Sequence, residues 1–191
     1  MRNLTYYIAT TIDGFIAAPD GSPDAFPVTG QHLETIAAEY PETLPVHVRS
    51  ALGVPEDAPN RRFDTILMGR KTYEPTIAAG FTNVFPHLRS YVFSRSLEID
   101  DPTVAVVAGD PIEEVRRLKQ EEGLGIYLCG GADLAGQLLP EIDELVVKCY
   151  PFVLGAGIPM FAGSHGPLPF ALVDTKTHTN GVVFNSYRRA V

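Results

Sequence analysis

Two adjacent glycines, Gly130-Gly131, stand between the apolar run Ile126-Tyr127-Leu128-Cys129 and the helix-patterned stretch Ala132-Asp133-Leu134-Ala135-Gly136-Gln137-Leu138-Leu139. The order reads as a strand, a corner free of side chains and a helix start. Glycine at such a corner lets backbone N–H groups touch a ligand oxygen, and a helix N-terminus adds about half a unit of positive charge. An anion is favoured there, and a phosphate or pyrophosphate is the first expectation.

The rest of the chain extends this unit. Leu4 to Thr10 is rich in β-branched and aromatic residues and ends at Asp13-Gly14, as a buried first strand does before a turn. Further strands are expected at Thr65 to Met68, Tyr91 to Phe93, Thr103 to Ala108, Ile126 to Cys129 and Asp143 to Tyr150. Gln31 to Tyr40 has helical spacing. Asp110-Pro111-Ile112-Glu113 begins another helix, with an Asp cap, proline in the first turn and Glu as reciprocal partner, and this helix should stop at Gly123. Phe170 to His178 and Val182 to Arg189 flank Thr179-Asn180-Gly181, a tight-turn signal for a hairpin. The fold class is α/β: a mostly parallel sheet with helices on both faces and a C-terminal antiparallel hairpin. Pro41 to Phe63, rich in proline, is a long irregular connection, helical in part around Val46 to Leu52.

With 191 residues, 45% of them hydrophobic, the chain is the size of a single domain, taken as 1–191. A net charge of −8 argues against nucleic acid or an anionic membrane as partner and for a small-molecule substrate. No stretch has the length of a membrane span and the N-terminus lacks the pattern of a signal peptide, so a cytoplasmic location is expected. Cys129 and Cys149 lie in apolar runs and read as small buried hydrophobes. The histidines His32, His47, His87, His165 and His178 show no metal-ligand spacing, and no metal is expected.

Two further loops follow parallel strands and should share the edge of Gly130-Gly131. Gly69-Arg70-Lys71-Thr72-Tyr73-Glu74 offers a turn, a hydroxyl, a helix start and two cations. Ser94-Arg95-Ser96 places two hydroxyls around a guanidinium, which suits a phosphate monoester. Three anion-ready loops in an acidic protein match a dinucleotide with an additional phosphate.

Taken with Thr11-Ile12-Asp13-Gly14-Phe15-Ile16-Ala17 and Gly157-Ile158-Pro159-Met160-Phe161, these motifs occur in the order found in the dihydrofolate-reductase-like family. Over essentially its whole length the chain most resembles the branch related to the reductase domain of bacterial riboflavin biosynthesis. The resemblance implies a three-layer α/β/α fold around a mixed sheet of about eight strands, with NADPH as cofactor. By motif, Gly69, Arg70, Lys71 and Thr72 would bind phosphates, and Ser94, Arg95 and Ser96 would surround the 2′-phosphate. Gly130, Gly131, Ala132 and Asp133, with Leu134, would line the pyrophosphate, while Ala9 and Ile16 would flank the nicotinamide.

The implied activity is hydride transfer to a small heterocyclic or conjugated acceptor, pterin- or pyrimidine-like. A module that binds NADPH without turnover is the alternative. For a proton source Asp13 is the candidate catalytic residue, with Glu34, Glu39 and His32 as alternatives; Asp13 reads equally as an Asp-Gly turn residue. No acidic residue on the helix after the first loop fits the pattern by which dihydrofolate reductases hold the pterin, so folate is not the expected substrate. Gly155-Ala156-Gly157 lacks the third glycine of a Rossmann fingerprint. Members of the riboflavin-related branch are often dimers, and Val146 to Leu154 fits either a homodimer interface or a core strand.

Overall fold

The computed structural model describes residues 1–163 and 166–190. In chain order its elements are β1 (Leu4–Thr11), β2 (Phe15–Ala17), α1 (His32–Glu39), α2 (Val46–Arg49), β3 (Phe63–Gly69), α3 (Arg70–Ala78), β4 (Arg89–Phe93), β5 (Val104–Val107), α4 (Pro111–Lys119), β6 (Gly125–Gly130), α5 (Ala132–Leu138), β7 (Glu144–Tyr150), β8 (Ile158–Pro159), β9 (Phe170–Thr177) and β10 (Val183–Arg189). Eight strands form one sheet in the order β5-β4-β3-β6-β1-β7-β10-β9, and only β10 runs against the others.

β1 lies near the middle, parallel to β6 on one side and to β7 on the other, and its Leu4, Tyr6 and Tyr7 are buried on one face or the other. On one face, Leu4, Tyr6, Leu67 and Leu128 pack with Val115 and Leu118 of α4 and Leu134 and Leu138 of α5. On the other, Tyr7, Ile66, Met68 and Tyr127 pack with Tyr73 of α3, and Tyr150 and Phe184 pack with Ile36 of α1. The three-layer α/β/α arrangement read from the sequence is the one observed.

Several boundaries differ from expectation. α4 starts as expected, with the Asp110 carboxylate accepting from the Ile112 amide at 2.7 Å, but it ends at Lys119, before Gly123. There Glu121 is drawn to Arg117 of the helix and Arg89 of β4. The connection from 41 to 62 is ordered by two buried charges. Arg49 donates to the carbonyls of Pro41, Leu44 and Glu56, and Glu42 accepts from the amides of Arg62 and Phe63. These contacts satisfy backbone groups that a buried loop would otherwise leave unpaired.

β2 and β8, absent from the sequence reading, form a separate two-stranded antiparallel sheet. Both are too short to carry a period. Of the Val146 to Leu154 segment, the part up to Tyr150 is the strand β7, hydrogen-bonded on one edge to β1 and on the other to β10, while Val153 beyond it is exposed. Cys129 and Cys149 are free thiols and half-buried rather than buried. Among the described residues no helix is long and apolar enough to cross a membrane, and no metal-ligating cluster is found. His165 lies outside the described residues.

Candidate functional site

Because β1, β3, β4 and β6 run parallel, their C-terminal ends and the loops that follow share one edge of the sheet. The glycine corner and the Gly69 loop touch there. A Cβ on Gly69 would lie 3.6 Å from the Gly130 carbonyl and from the Gly131 amide, and one on Gly131 would lie 3.2 Å from the Thr72 hydroxyl. Gly130 has φ +124°, a conformation open to glycine, and the bond to Gly131 is cis. α3 and α5 both start on glycine with no side-chain cap, so their first amides stay available to a ligand.

The third loop joins them through Arg70, whose guanidinium donates to the Ser96 hydroxyl at 3.0 Å and to Glu74 at 2.7 Å. The Ser94 hydroxyl accepts from the amides of Ser96 and Leu97 and so shapes the turn that carries Arg95. Ala132 is buried, and its carbonyl accepts from the Ala162 amide. Leu134 belongs to the core, which leaves only its amide for a ligand, and the exposed carboxylate of Asp133 likewise leaves its amide as the group suited to a phosphate. Ala9 lies half-buried on β1, and Ile16 is held half-buried on β2, paired with β8. The distant motifs of the sequence thus converge on one edge.

Fifteen Lys and Arg residues serve this acidic chain, and all but three have a carboxylate or carbonyl acceptor. The three without a hydrogen bond or ion pair among the described residues are Lys71, Arg95 and Lys148. Lys71 and Arg95 sit in two of the anion-ready loops. Surface cations elsewhere are matched, for example Arg116 with Glu141, Arg117 with Glu114 and Lys176 with Glu39. A cavity of about 530 Å³ at the opposite, N-terminal edge of the sheet illustrates the contrast. Its charges pair with each other, Arg62 and Lys176 with Glu39 and Arg188 with Glu144, so it exerts little pull on a charged ligand.

Lys148 was not singled out in the sequence. It faces the same side of the sheet as Ala9, its partner in register on β1, and its Nζ lies 3.9 Å from the centre of the Tyr7 ring. Ala9, Cys129 and Lys148 are all half-buried although their strands are central, so this patch of the sheet is only partly covered. Burial pushes the Lys148 ammonium down to about 8, with no carboxylate to hold it up. The available signal was a lysine inside the strand run Leu145-Val146-Val147-Lys148-Cys149-Tyr150.

Of the groups expected to supply a proton, Asp13, Glu39 and His32 are engaged elsewhere. The Asp13 carboxylate accepts from the Thr11 hydroxyl at 2.5 Å and from the amides of Leu154 at 3.1 Å and Gly155 at 2.8 Å. The Thr11 bond, aided by those amides, holds it below the usual carboxylate range, so at neutral pH it is an anion clamping two loops. That geometry favours the turn reading of Asp13 over a proton donor. Glu39 pairs with Lys176 and Arg62, and Glu34 is exposed. His32 is buried between the Tyr150 hydroxyl at 3.0 Å and the Asn180 amide at 2.8 Å.

A parallel sheet closed by an antiparallel hairpin, with glycine corners meeting at one edge, is the dihydrofolate-reductase-like architecture. The chain belongs to the RibD C-terminal domain family, whose model matches residues 2–184. It is 32% identical over 192 residues to Uncharacterized protein YwjB of Bacillus subtilis (strain 168), covering 98% of each chain. It is 31% identical over 135 residues to Uncharacterized protein YyaP of the same organism, covering 64% of this chain and 72% of the other. Among solved structures, a putative riboflavin biosynthesis protein from Shewanella sp. PV-4 shares the fold with a TM-score of 0.69 at 21% identity and complete coverage of both chains. Dihydrofolate reductase from Enterococcus faecalis, complexed with NADP(H) and RAB-propyl, aligns with a TM-score of 0.67 at 16% identity, covering 99% of this chain and 97% of that one.

Proposed function

We propose that this protein is an NADPH-dependent reductase acting on a small heterocyclic or conjugated acceptor of the pterin or pyrimidine type. The observation that carries the reading is the pair of cations without a partner among the described residues, Lys71 and Arg95, in two of three glycine- or serine-rich loops that converge at the C-terminal edge of the sheet. A dinucleotide with an extra phosphate accounts for both. The amides at the starts of α3 and α5 and the Thr72 hydroxyl would hold the pyrophosphate. The lack of a side chain at Gly131 leaves the room that a Cβ would take against Thr72.

Arg95, flanked by Ser94 and Ser96, would receive the 2′-phosphate, with Lys71 adding charge and Arg70 tying the two loops together. Ala9 and Ile16 would flank the nicotinamide and exclude water from it. When bound, the cofactor supplies the hydride. The remaining contributions are those of the chain: orienting the acceptor on the partly covered patch of the sheet and keeping that patch dry.

The test is NADPH oxidation, followed by absorbance, over a panel of pterins, flavin precursors and quinones. Acceptor-dependent oxidation by at least one of them is the expected result. Tight NADPH binding with no oxidation across the panel would favour a binding module instead, and an absence of NADPH binding would overturn the reading.

A further inference from the structure

Lys148 raises a question that the cofactor loops leave open. A lysine on a central strand gives up most of its hydration, and that cost is ordinarily offset by a carboxylate within reach. Here the described residues offer none. The titratable groups around it are uncharged: Tyr7 on β1, whose ring it covers, Cys129 on β6 and His32 on α1, with Tyr127 and Tyr150 beside Tyr7. Burial raises the pKa of Tyr7, Tyr127, Cys129 and Tyr150, so all four keep their protons at neutral pH. Burial also lowers His32, with His178 and Lys148 adding to the effect, and leaves its ring uncharged. The strand partners of Lys148 are Ala9 and Phe184, both apolar. Lys176 on β9, in register with Phe184, is neutralised by Glu39. Near pH 7, therefore, the Lys148 ammonium stands as a net positive charge on the partly covered patch, with only the face of the Tyr7 ring to stabilise it.

The α1 side carries no balancing acid, and the buried Glu42, which acts on the Tyr7 hydroxyl, is held by the Arg62 and Phe63 amides. The side of α1 that packs on the sheet presents His32 and Ile36, while Glu34 points to solvent and Glu39 is taken up by Lys176 and Arg62. A site built this way repels an amidine-type cation and attracts negative charge or the negative end of a dipole. It also suits reduction. A cation beside a conjugated carbonyl draws electron density from the ring and stabilises the charge that builds on oxygen as the ring accepts electrons.

We propose that Lys148 is the specificity-determining residue of the acceptor site. Its ammonium binds a carbonyl oxygen or oxyanion of the acceptor, so the site selects oxygen-bearing, electron-poor rings over protonated, amidine-bearing ones. The proposal takes from the reductase reading only the role of the bound ring; the preference for an anion follows from the patch itself.

The experiment uses two pyrimidines of similar size and opposite charge, barbiturate and 2,4-diaminopyrimidine. Each is titrated calorimetrically into the wild-type protein, Lys148→Met and Lys148→Arg with NADP⁺ present, and the affinity for NADPH is measured for all three proteins. Wild type is expected to prefer barbiturate. Lys148→Met should bind it at least about tenfold more weakly, the factor that corresponds to about 1.4 kcal/mol, while Lys148→Arg retains most of the affinity. Barbiturate stays ionised throughout, yet its binding to wild type should fade as the pH passes about 8 and the ammonium discharges. NADPH affinity should be the same in all three. Barbiturate affinity unchanged in Lys148→Met, no binding of barbiturate by wild type, or a wild-type preference for 2,4-diaminopyrimidine would overturn the proposal. Loss of barbiturate binding in Lys148→Met alone, with no NADPH binding by any of the three, would sink the reductase reading and leave the anion site standing.

Discussion

At the scale of single residues, the informative property is the absence of a partner. Arg70 and Arg95 lie in loops joined by a hydrogen bond, yet Arg70 is committed to Glu74 and Ser96, whereas Arg95 is exposed and makes no bond among the described residues. If Arg95 receives the 2′-phosphate, Arg95→Ala weakens NADPH binding by about 1.5–3 kcal/mol, the scale of a charge-assisted contact, and leaves NADH nearly untouched. Fluorescence titration with both cofactors checks this, and an equal loss for the two would reject the assignment. The motifs made Arg95 a candidate in the sequence, since a guanidinium between two hydroxyls suits a phosphate monoester. Lys148 escaped notice because a lone charge in a strand gives no hint of whether a carboxylate faces it. Asp13 shows the reverse. Its position after the first strand suggested chemistry, and only the approach of the Leu154 and Gly155 amides reveals a clamp.

Secondary-structure elements explain how those residues come to be aimed. α4 was readable almost in full because its signals are local: Asp110 at the cap, Pro111 behind it, acids in the first turn and bases in the last. The hairpin of β9 and β10 was equally plain, with Gly181 at φ +81° in the turn. β2 and β8 were not, because they exist only by pairing with each other across some 140 residues of chain. Their meeting point is Gly157. A Cβ there would lie 2.3 Å from the Ala17 carbonyl oxygen and 3.1 Å from the Phe15 Cβ, and the first of these is backbone that cannot rotate away. Gly157→Ala should therefore force the two strands apart and destabilise the protein by roughly 1–3 kcal/mol, the cost of overpacking. Urea unfolding measures it. A variant as stable as wild type would mean that the small sheet yields without loss, and that Ile16 is not rigidly placed.

Across the whole molecule, the buried His32 and the half-buried His87 join segments that the sequence keeps far apart. His32 ties α1 to β7 through the Tyr150 hydroxyl and to the hairpin turn through the Asn180 amide, and His87 is held to the Glu42 carbonyl. Burial lowers the ionisation of both imidazoles below their ordinary value of 6.5. As the pH falls below that value the unfolded chain takes up protons that the folded chain refuses, so stability drops with acidification. Protonation of the His32 nitrogen that accepts from Asn180 also removes that bond. The thermal midpoint should therefore fall between about pH 6.5 and pH 5, and His32→Gln, which does not titrate, should flatten part of that slope. A wild-type midpoint constant over this range would contradict the argument.

The alternation of apolar strands with capped or glycine-started helices determined the sheet, its helical layers and the edge where three loops meet, because periodicity, caps and turns act between near neighbours in the chain. Only the tertiary structure decided which charges go unanswered. Whether a cation has a counter-ion depends on what the fold carries to within a few ångströms of it, and for Lys148 those neighbours come from β1, β6, α1 and β10, none of them adjacent to it in sequence.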